Sequence, residues 1–408
     1  MAFVRGINKK VVIAQESTFG TAGAGPGQLL RRVNATLSLS KDVYQSQEII
    51  TSQQIRDARH GVRRVNGTLV GQLAAGAYKD FFEGLFRQAW TASTPSGLSA
   101  VTSIASSSVG TFTKSGGGLL TSGLKVGDIF RWTGWTASGT DATANNNRNY
   151  RVVGLTDTVI TVGTSTSEAV VTKTAGDPVT LTVVGKKLTI PQSGQTNFSY
   201  TIEQQFPDAD TAFYEVFTGN RIQSMSLSLP STGMAQVSAS VIGQTMVSQA
   251  SAQYASPTAA NTRPSLVAVN GLVRLNGTDV AIITGANITI TSAMDAQPVV
   301  GSNFVPDIFT GTIGAQGSMT IYLKDQSIFT LFNNETEFEV QLYVTEDATI
   351  NSQFISIFMG RVKLTAANKN DSDRAIMQQV NFIALENTNG GTGTKYDATT
   401  ISIQDSAM

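Results

Sequence analysis

The feature that most constrains this chain is that its two ends carry the same ordered series of segments. Residues 213–222 parallel 354–362, and each stretch is followed, after a polar turn, by another matching pair, 234–239 and 377–382. Upstream, 197–202 matches 337–342, and 67–73 leading into 77–86 matches 317–323 leading into 325–332. Finally, 35–40 matches 287–292. These matches in one order imply a duplicated domain. Each copy runs strand, long loop, strand, helix, strand, short connection, strand, turn, strand. A chain of 408 residues is too long for one small core, and the repeat gives it an architecture used twice.

The segments are strands by their period. Val33, Ala35, Leu37 and Leu39 fall on one face of an extended chain, and Arg32, Asn34, Thr36 and Ser38 fall on the other. The same alternation runs through 62–73, 197–206, 221–229 and 235–242. Helix is scarce. Within 77–86, Tyr78, Phe81, Phe82, Leu85 and Phe86 recur at helical spacing, a stripe that should dock on a sheet. Between Trp90 and Lys187 the first copy is interrupted by material without a counterpart. That material is Ser-, Gly- and Thr-rich over 91–122 and strand-like at 126–132, 150–153, 159–162 and 179–183, as in a small β-barrel or sandwich module. The expected organisation is an N-terminal arm (1–27), a first copy (28–95 with 188–250), an inserted module (96–187), a second copy (265–390) and a C-terminal arm (391–408).

Composition removes most chemistry. Lysine plus arginine and aspartate plus glutamate both number 29, so no net basic surface marks a dedicated nucleic-acid binder. Cysteine is absent and histidine occurs once, at His60, which removes disulfides, thiolate nucleophiles, clustered zinc ligands and any Ser-His-Asp triad without His60. No apolar run approaches the roughly 20 residues that cross a bilayer, and the first residues lack the apolar stretch of a signal peptide. The expectation is a chain that is not an enzyme, with no cofactor, no metal and no membrane.

Three groups invite sharper readings. Glu335, Glu337 and Glu339 share one strand face, as a glycosidase carboxylate pair or as a solvated face; no second acidic cluster supports the former. Trp132 and Trp135 form either a sugar-stacking platform or module core, and the platform gives the alternative function, a β-rich virion decoration or cell-surface carbohydrate-binding protein. Arg56, Arg59, His60, Arg63 and Arg64 gather at the end of a long loop, 41–61, and its counterpart loop 292–309 lacks the arginines.

Residues 14–21, 27–33 and 54–67 resemble the amino-terminal region of siphophage major tail tube proteins, and 123–128 with 149–152 is similar to a module common in that family. The likeness covers the first half directly and the second half only through the internal repeat. It implies a fold of packed antiparallel sheets with one flanking helix, assembling edge to edge; the internal repeat makes this two tandem tail-tube-like domains, and the inserted module, which interrupts one copy and has no counterpart in the other, is expected as an outer decoration. It implies a structural protein of the virion tail, assembled in the host bacterial cytoplasm, whose rings stack into a hollow tube through which double-stranded DNA passes without sequence preference. Partners implied are the tape-measure protein, the tail terminator and the distal tail protein. Six tube domains around the axis would need three copies of a two-domain chain, a trimeric ring with pseudo-sixfold symmetry; a hexamer is the alternative. In the resembling family the long loop reaches the next ring, which assigns Arg56, Arg59, His60, Arg63 and Arg64 to an inter-ring contact. The polar strand faces then assign Asn34, Thr36, Asn197, Ser199, Asn287, Thr289, Glu337 and Glu339 to the lumen, the acids repelling DNA phosphates.

Overall fold

The computed structural model describes residues 3–49, 51–370 and 375–408. Strands β1 (Lys10–Gln15), β2 (Gln28–Leu29), β3 (Asn34–Ala35), β4 (Ser38–Gln45) and β5 (Ala58–Gln72) lead into helix α1 (Lys79–Phe86). Six short strands follow: β6 (Ile104–Ser107), β7 (Thr111–Lys114), β8 (Ile129–Thr133), β9 (Tyr150–Leu155), β10 (Val159–Val162) and β11 (Thr180–Val183). The chain returns through β12 (Lys186–Thr189), β13 (Tyr200–Phe206), β14 (Phe213–Pro230), β15 (Gln236–Gly243) and β16 (Thr245–Gln249). Beyond them come β17 (Gly271–Leu275), β18 (Thr278–Asp279), β19 (Ile283–Asp295), β20 (Phe309–Tyr322), helix α2 (Ser327–Asn333), β21 (Phe338–Thr345), β22 (Phe354–Asn370), β23 (Met377–Ala384) and β24 (Ser402–Asp405).

One order of pairing occurs twice. In the first half the antiparallel order is β4–β5–β15–β14, and in the second it is β19–β20–β23–β22. The long strands β14 and β22 each bend between two layers. The first part of β14 pairs β13 and β16 while its second part pairs β15; the first part of β22 pairs β21 and β24 while its second part pairs β23. A bulge marks each switch, between Ile222 and Ser224 and between Leu364 and Ala366. The outer strands also correspond, β1 on β13 as β17 on β21. The segments expected as arms, 1–27 and 391–408, therefore contain β1 and β24, each built into a sheet.

The two halves are joined edge to edge. Residues Ser224–Pro230 of β14 pair with β19, so eight strands form one continuous surface, β4–β5–β15–β14–β19–β20–β23–β22. Its inner face is apolar: Leu69, Val237, Met225, Leu227, Ile288, Ile290, Met319 and Val380 belong to one buried cluster. Helix α1 closes that cluster with Phe81, Phe82, Leu85 and Phe86, all within 2% of full burial, each contributing about 1.5–3 kcal/mol relative to an exposed side chain. The helix stops at Arg87, whose left-handed backbone (φ 57°) directs its N–H to the Glu83 carbonyl.

The structure shifts the internal alignment in two places. Taking Val237 and Val380 as equivalent, the pairing sets Leu69 beside Ala239 and Gly317 beside Phe382, so Leu69 corresponds to Gly317 and not to Met319. Likewise Ala35, beside Leu69, corresponds to Ile288 and Asn34 to Asn287, one residue from the expected match of 35 with 287.

The strands β6 to β11 form their own sheet, in the order β11–β8–β9–β10–β7–β6. Its core is aromatic: Phe112, Phe130, Trp132, Trp135 and Tyr150 pack with ring centroids 5.1–6.2 Å apart. The module rests on the second layer of the second half, where Gly127, at φ 95°, meets Phe358; a β-carbon there would fall 2.5 Å from the ring. Gly123 has nearly the same φ, 96°, with nothing near it. Gly123→Ala should therefore cost only backbone strain, about 1–2 kcal/mol, and Gly127→Ala clearly more. Thermal denaturation of the two variants checks this; equal losses would mean that Phe358 does not hold the module.

Candidate functional site

The outward face of the eight-strand surface is polar and almost uncharged. Alternation puts Asn34, Thr36 and Ser38 of β3–β4 on it, then Asn66, Thr68 and Gln72, then Gln236, Ser238 and Ser240, then Ser224, Ser226 and Ser228. Beyond the junction the pattern continues with Asn287, Thr289 and Thr291, then Gln316, Ser318 and Thr320, then Gln379 and Asn381. Across the junction Ser226 donates to the Asn287 side-chain oxygen at 2.9 Å, and within the first half the Thr68 N–H donates to the Thr36 hydroxyl at 3.1 Å. Charge enters only at the margins and in opposite-sign pairs, Arg64 beside Asp42 at 3.8 Å and Lys363 beside Glu335 and Glu337 at 3.7 and 4.0 Å. Such a surface holds a water layer without binding phosphates strongly or repelling them.

Of the residues expected on a lumen wall, Asn34, Thr36, Asn287 and Thr289 lie on this face. The other four do not. Asn197 precedes β13 and accepts a bond from the Thr310 hydroxyl at 2.9 Å, and Ser199 is buried. Glu337 immediately precedes β21, in a bidentate pair with Arg361 (2.7 and 2.8 Å) that holds its carboxyl below the usual carboxylate range. Glu339 is buried against Arg274 and the Tyr396 hydroxyl, both at 3.0 Å. The three glutamates therefore form no solvated face, because Glu335 leaves the extended path at φ 49° and Glu339 turns into the protein. Neither Glu337 nor Glu339 presents a free carboxylate of the kind a glycosidase uses.

The expected loops are shorter than read from sequence. The stretch 41–61 is mostly hairpin: β4 continues to Gln45 and β5 begins at Ala58, with Val43 opposite His60 and Tyr44 opposite Arg59. Ile50 of this loop lies outside the described residues. The counterpart 292–309 is also a hairpin arm, with β19 reaching Asp295 and β20 beginning at Phe309. Arg59 pairs Asp57 at 2.8 Å in the open, Arg56 and His60 are exposed, and Arg64 lies 3.8 Å from Asp42. At the root of the arm the Arg63 N–H donates to the Asn303 carbonyl at 2.8 Å, so the two arms meet and project together. Ile49 and Ile55 near one tip and Val300 near the other are exposed.

Trp132 and Trp135 are buried, at 0% and 2% exposure, and present no ring face for stacking a sugar. What sequence reading missed is how the module is fastened. Arg151 of β9 is buried between two carboxylates: it donates to Glu168 at 2.9 and 2.6 Å and, across to β18, to Asp279 at 2.9 and 2.7 Å. Burial opposes the Arg151 charge, and the bonds to Asp279 and Glu168 outweigh it, holding its pKa above the ordinary value. Lys187, beside Asp128 of the module and Asp397 of the C-terminal segment, is likewise held charged against burial, while burial pushes the Asp128 carboxyl up. The Gln404 side chain bonds the Ile129 backbone through both its oxygen and its nitrogen, at 2.8 Å each. No sequence signal separates these residues from ordinary surface charge, since each pair joins positions far apart in the chain.

Among the described residues no His, Asp and Glu group could hold a metal ion, and no helix is long and apolar enough to cross a membrane. A family model described as "Phage tail tube protein" matches residues 6–384. No curated protein sequence matches. Among solved structures, one described as the "anti-feeding prophage cap (AFP tube terminating cap)" aligns with 38% of this chain and 99% of its own, at 11% identity and a TM-score of 0.27, a level that carries no argument.

Proposed function

The chain belongs to the phage tail tube protein family, and from that premise we propose that it is the major tail tube protein of a long non-contractile, siphophage-type tail. It closes into rings that stack into a hollow tube conducting double-stranded DNA. The observation that carries this reading is the continuous eight-strand surface, neutral and hydroxyl-rich outside, apolar beneath, and ending in two unpaired edges. A wall of this kind lets DNA slide, since it offers neither the cations that bind phosphate nor a field that repels it. The duplication of the pairing order supports two tube domains per chain, hence a trimeric ring with pseudo-sixfold symmetry; six chains per ring is the competing arrangement. The six-stranded module docks on the layer opposite the polar face, which supports an outer position for it. It has no catalytic role in this reading, and its partners are other copies of itself and the tail components at each end. Negative-stain microscopy of the purified wild-type protein is the test: tubes or stacked rings are expected, and a persistent monomer at high protein concentration overturns the reading.

The twin hairpin arms are proposed as the contact between rings. Arg56, Arg59 and His60 are exposed at the outer end of the first arm and, with the exposed Ile49, Ile55 and Val300, give the arms charge and apolar surface to bury. Arg63 and Arg64 sit at the root. Arg56→Ala with Arg59→Ala should shorten tubes to single rings or short stacks, more so as salt rises, while leaving rings closed. Full-length tubes with unchanged salt resistance, seen by microscopy, would remove the arms from the axial contact.

A further inference from the structure

One lysine joins three parts of the chain that lie far apart in sequence. Lys187 of β12 contacts the Asp128 carboxylate, in the turn that opens β8 of the module, and the Asp397 carboxylate, in the segment that leads to β24. Asp128 is 1% exposed, and the Lys187 side chain only 12%. The two oxygens of Asp128 have different donors: Oδ1 accepts from the Lys187 ammonium, and Oδ2 accepts from the Lys125 backbone N–H at 2.9 Å. The Lys125 ammonium is turned elsewhere, to the Gly391 and Thr394 carbonyls at 2.6 and 2.7 Å. An amine, a carboxyl carbon, a second carboxylate and a backbone N–H on the carboxyl oxygen thus meet in one enclosed place.

We propose that Lys187 and Asp128 condense into a side-chain amide, with Asp397 carrying the proton between them. The Lys187 ammonium passes one proton to Asp128 Oδ1, leaving a neutral amine and a neutral acid. The amine nitrogen attacks Cγ, the C–N bond forms, and the carbonyl electron pair moves onto Oδ2, where the Lys125 N–H stabilises it. Asp397 takes a second proton from the nitrogen and delivers it to the Oδ1 hydroxyl. The Cγ–Oδ1 bond breaks, one water leaves, and Asp397 is a carboxylate again. No oxidant or other reactant enters the step.

Two physical terms favour the bond. In water an amine and a carboxylic acid stay ionised because both ions are hydrated; here burial works against both charges, and an amide has no charge to desolvate. The fold also holds the two groups in contact, which gives effective concentrations of about 10⁵–10⁸ M in well-oriented reactions. Asp397, 25% exposed, lies on the side from which the released water can leave. A second lysine–aspartate pair shows what such a site requires. Lys173 and Asp177 are also buried and 2.9 Å apart, but Asp177 is engaged by the Thr136 N–H and hydroxyl at 2.9 and 2.8 Å, and Lys173 by the Thr136 and Ser138 carbonyls at 2.7 and 2.8 Å. Among the described residues no second carboxylate forms an ion pair with Lys173. Arg151 and Arg274 cannot react in this way, because a guanidinium keeps its proton. The amide closes the chain from 128 to 187, around most of the module, and fixes the turn before β8 to β12.

This inference is independent of the tube reading, and mass spectrometry of the purified wild-type protein tests it. The denatured chain should weigh less than its sequence by one water. Trypsin should not cut after Lys187, and the digest should contain peptide 126–131 joined to peptide 187–221. Lys187→Arg keeps the positive charge and cannot condense, so its mass should equal that of its sequence. Asp397→Asn keeps the amine and the acid and should slow the bond by about 100-fold or more, read as the fraction of joined peptide at fixed times after cell-free synthesis. The wild-type measurement decides even where a variant fails to fold. Folded wild-type protein of full mass, yielding peptide 126–131 unjoined, overturns the proposal, and so does a lost water that maps to other residues. A joined peptide that forms in Asp397→Asn at the wild-type rate overturns the part given to Asp397.

Discussion

Arg151→Ala should be among the most destabilising single changes in the protein, at about 3–5 kcal/mol, because it strands a buried carboxylate. Arg151 is 1% exposed and Glu168 3%, and Glu168 receives from Arg151 two side-chain bonds, a backbone bond at 2.8 Å and the charge that compensates its own. Asp279 is partly exposed and can be solvated when the arginine leaves; Glu168 cannot. The loss should appear as uncoupling, since Arg151 spans the module and the second half of the chain. Calorimetry should show the module melting ahead of the rest, and limited proteolysis should cut first in the 91–122 segment. Arg151→Lys should fall between, as one ammonium cannot fork to two carboxylates. Arg151→Met with Glu168→Gln should recover part of the loss, because the stranded charge is removed with its partner. A single, unshifted transition for Arg151→Ala would show that the ion pairs do not fasten the module.

The sequence discloses the repeat because strand alternation and the Phe-rich helix recur in order, and these are local patterns. It misplaces the register of β5 against β20 by two residues for a physical reason. An alternating strand shifted by two keeps every side chain on its proper face, so glycines Gly67 and Gly317 can be aligned without any visible conflict. The basic arm reads as loop because Arg59, His60, Arg63 and Arg64 interrupt apolar alternation, although their backbone pairs regularly with β4. The acidic lumen failed differently. Glu335, Glu337 and Glu339 alternate in the sequence, but the positive φ of Glu335 breaks the strand before its face is formed, and Arg274 draws Glu339 inward. Arg151, Arg274 and Lys187 were invisible as a set. Charged residues are usually solvated, and only the fold brings Arg151 to Asp279 or Lys187 to Asp397. The module's fastening is therefore a tertiary property, whereas the polar wall is a property of strand period.

The same substitution at equivalent positions of the two halves should have opposite consequences. Leu227 lies at the junction inside the chain, 2% exposed, between Val237 and Ile288. Leu227→Arg places an unpaired charge in the main core and should cost more than about 4 kcal/mol, enough to prevent folding. Ala367 is its counterpart on β22, half-buried and facing Val380 on one side with no strand among the described residues on the other. Ala367→Arg can turn its guanidinium into water in the free chain, so the fold and its melting temperature should change little. In a ring closed through this edge that water would be replaced by the neighbouring copy, and the charge would have to be desolvated. Ring closure should weaken by ~100-fold or more, leaving folded single chains in sedimentation and no tubes in micrographs. Ala367→Val, which adds apolar volume at the same place, should be tolerated and keep tubes. If Ala367→Arg assembles as readily as wild type, β22 does not carry the junction, and the resemblance between the inner and outer edges of this sheet has no role in closing the ring.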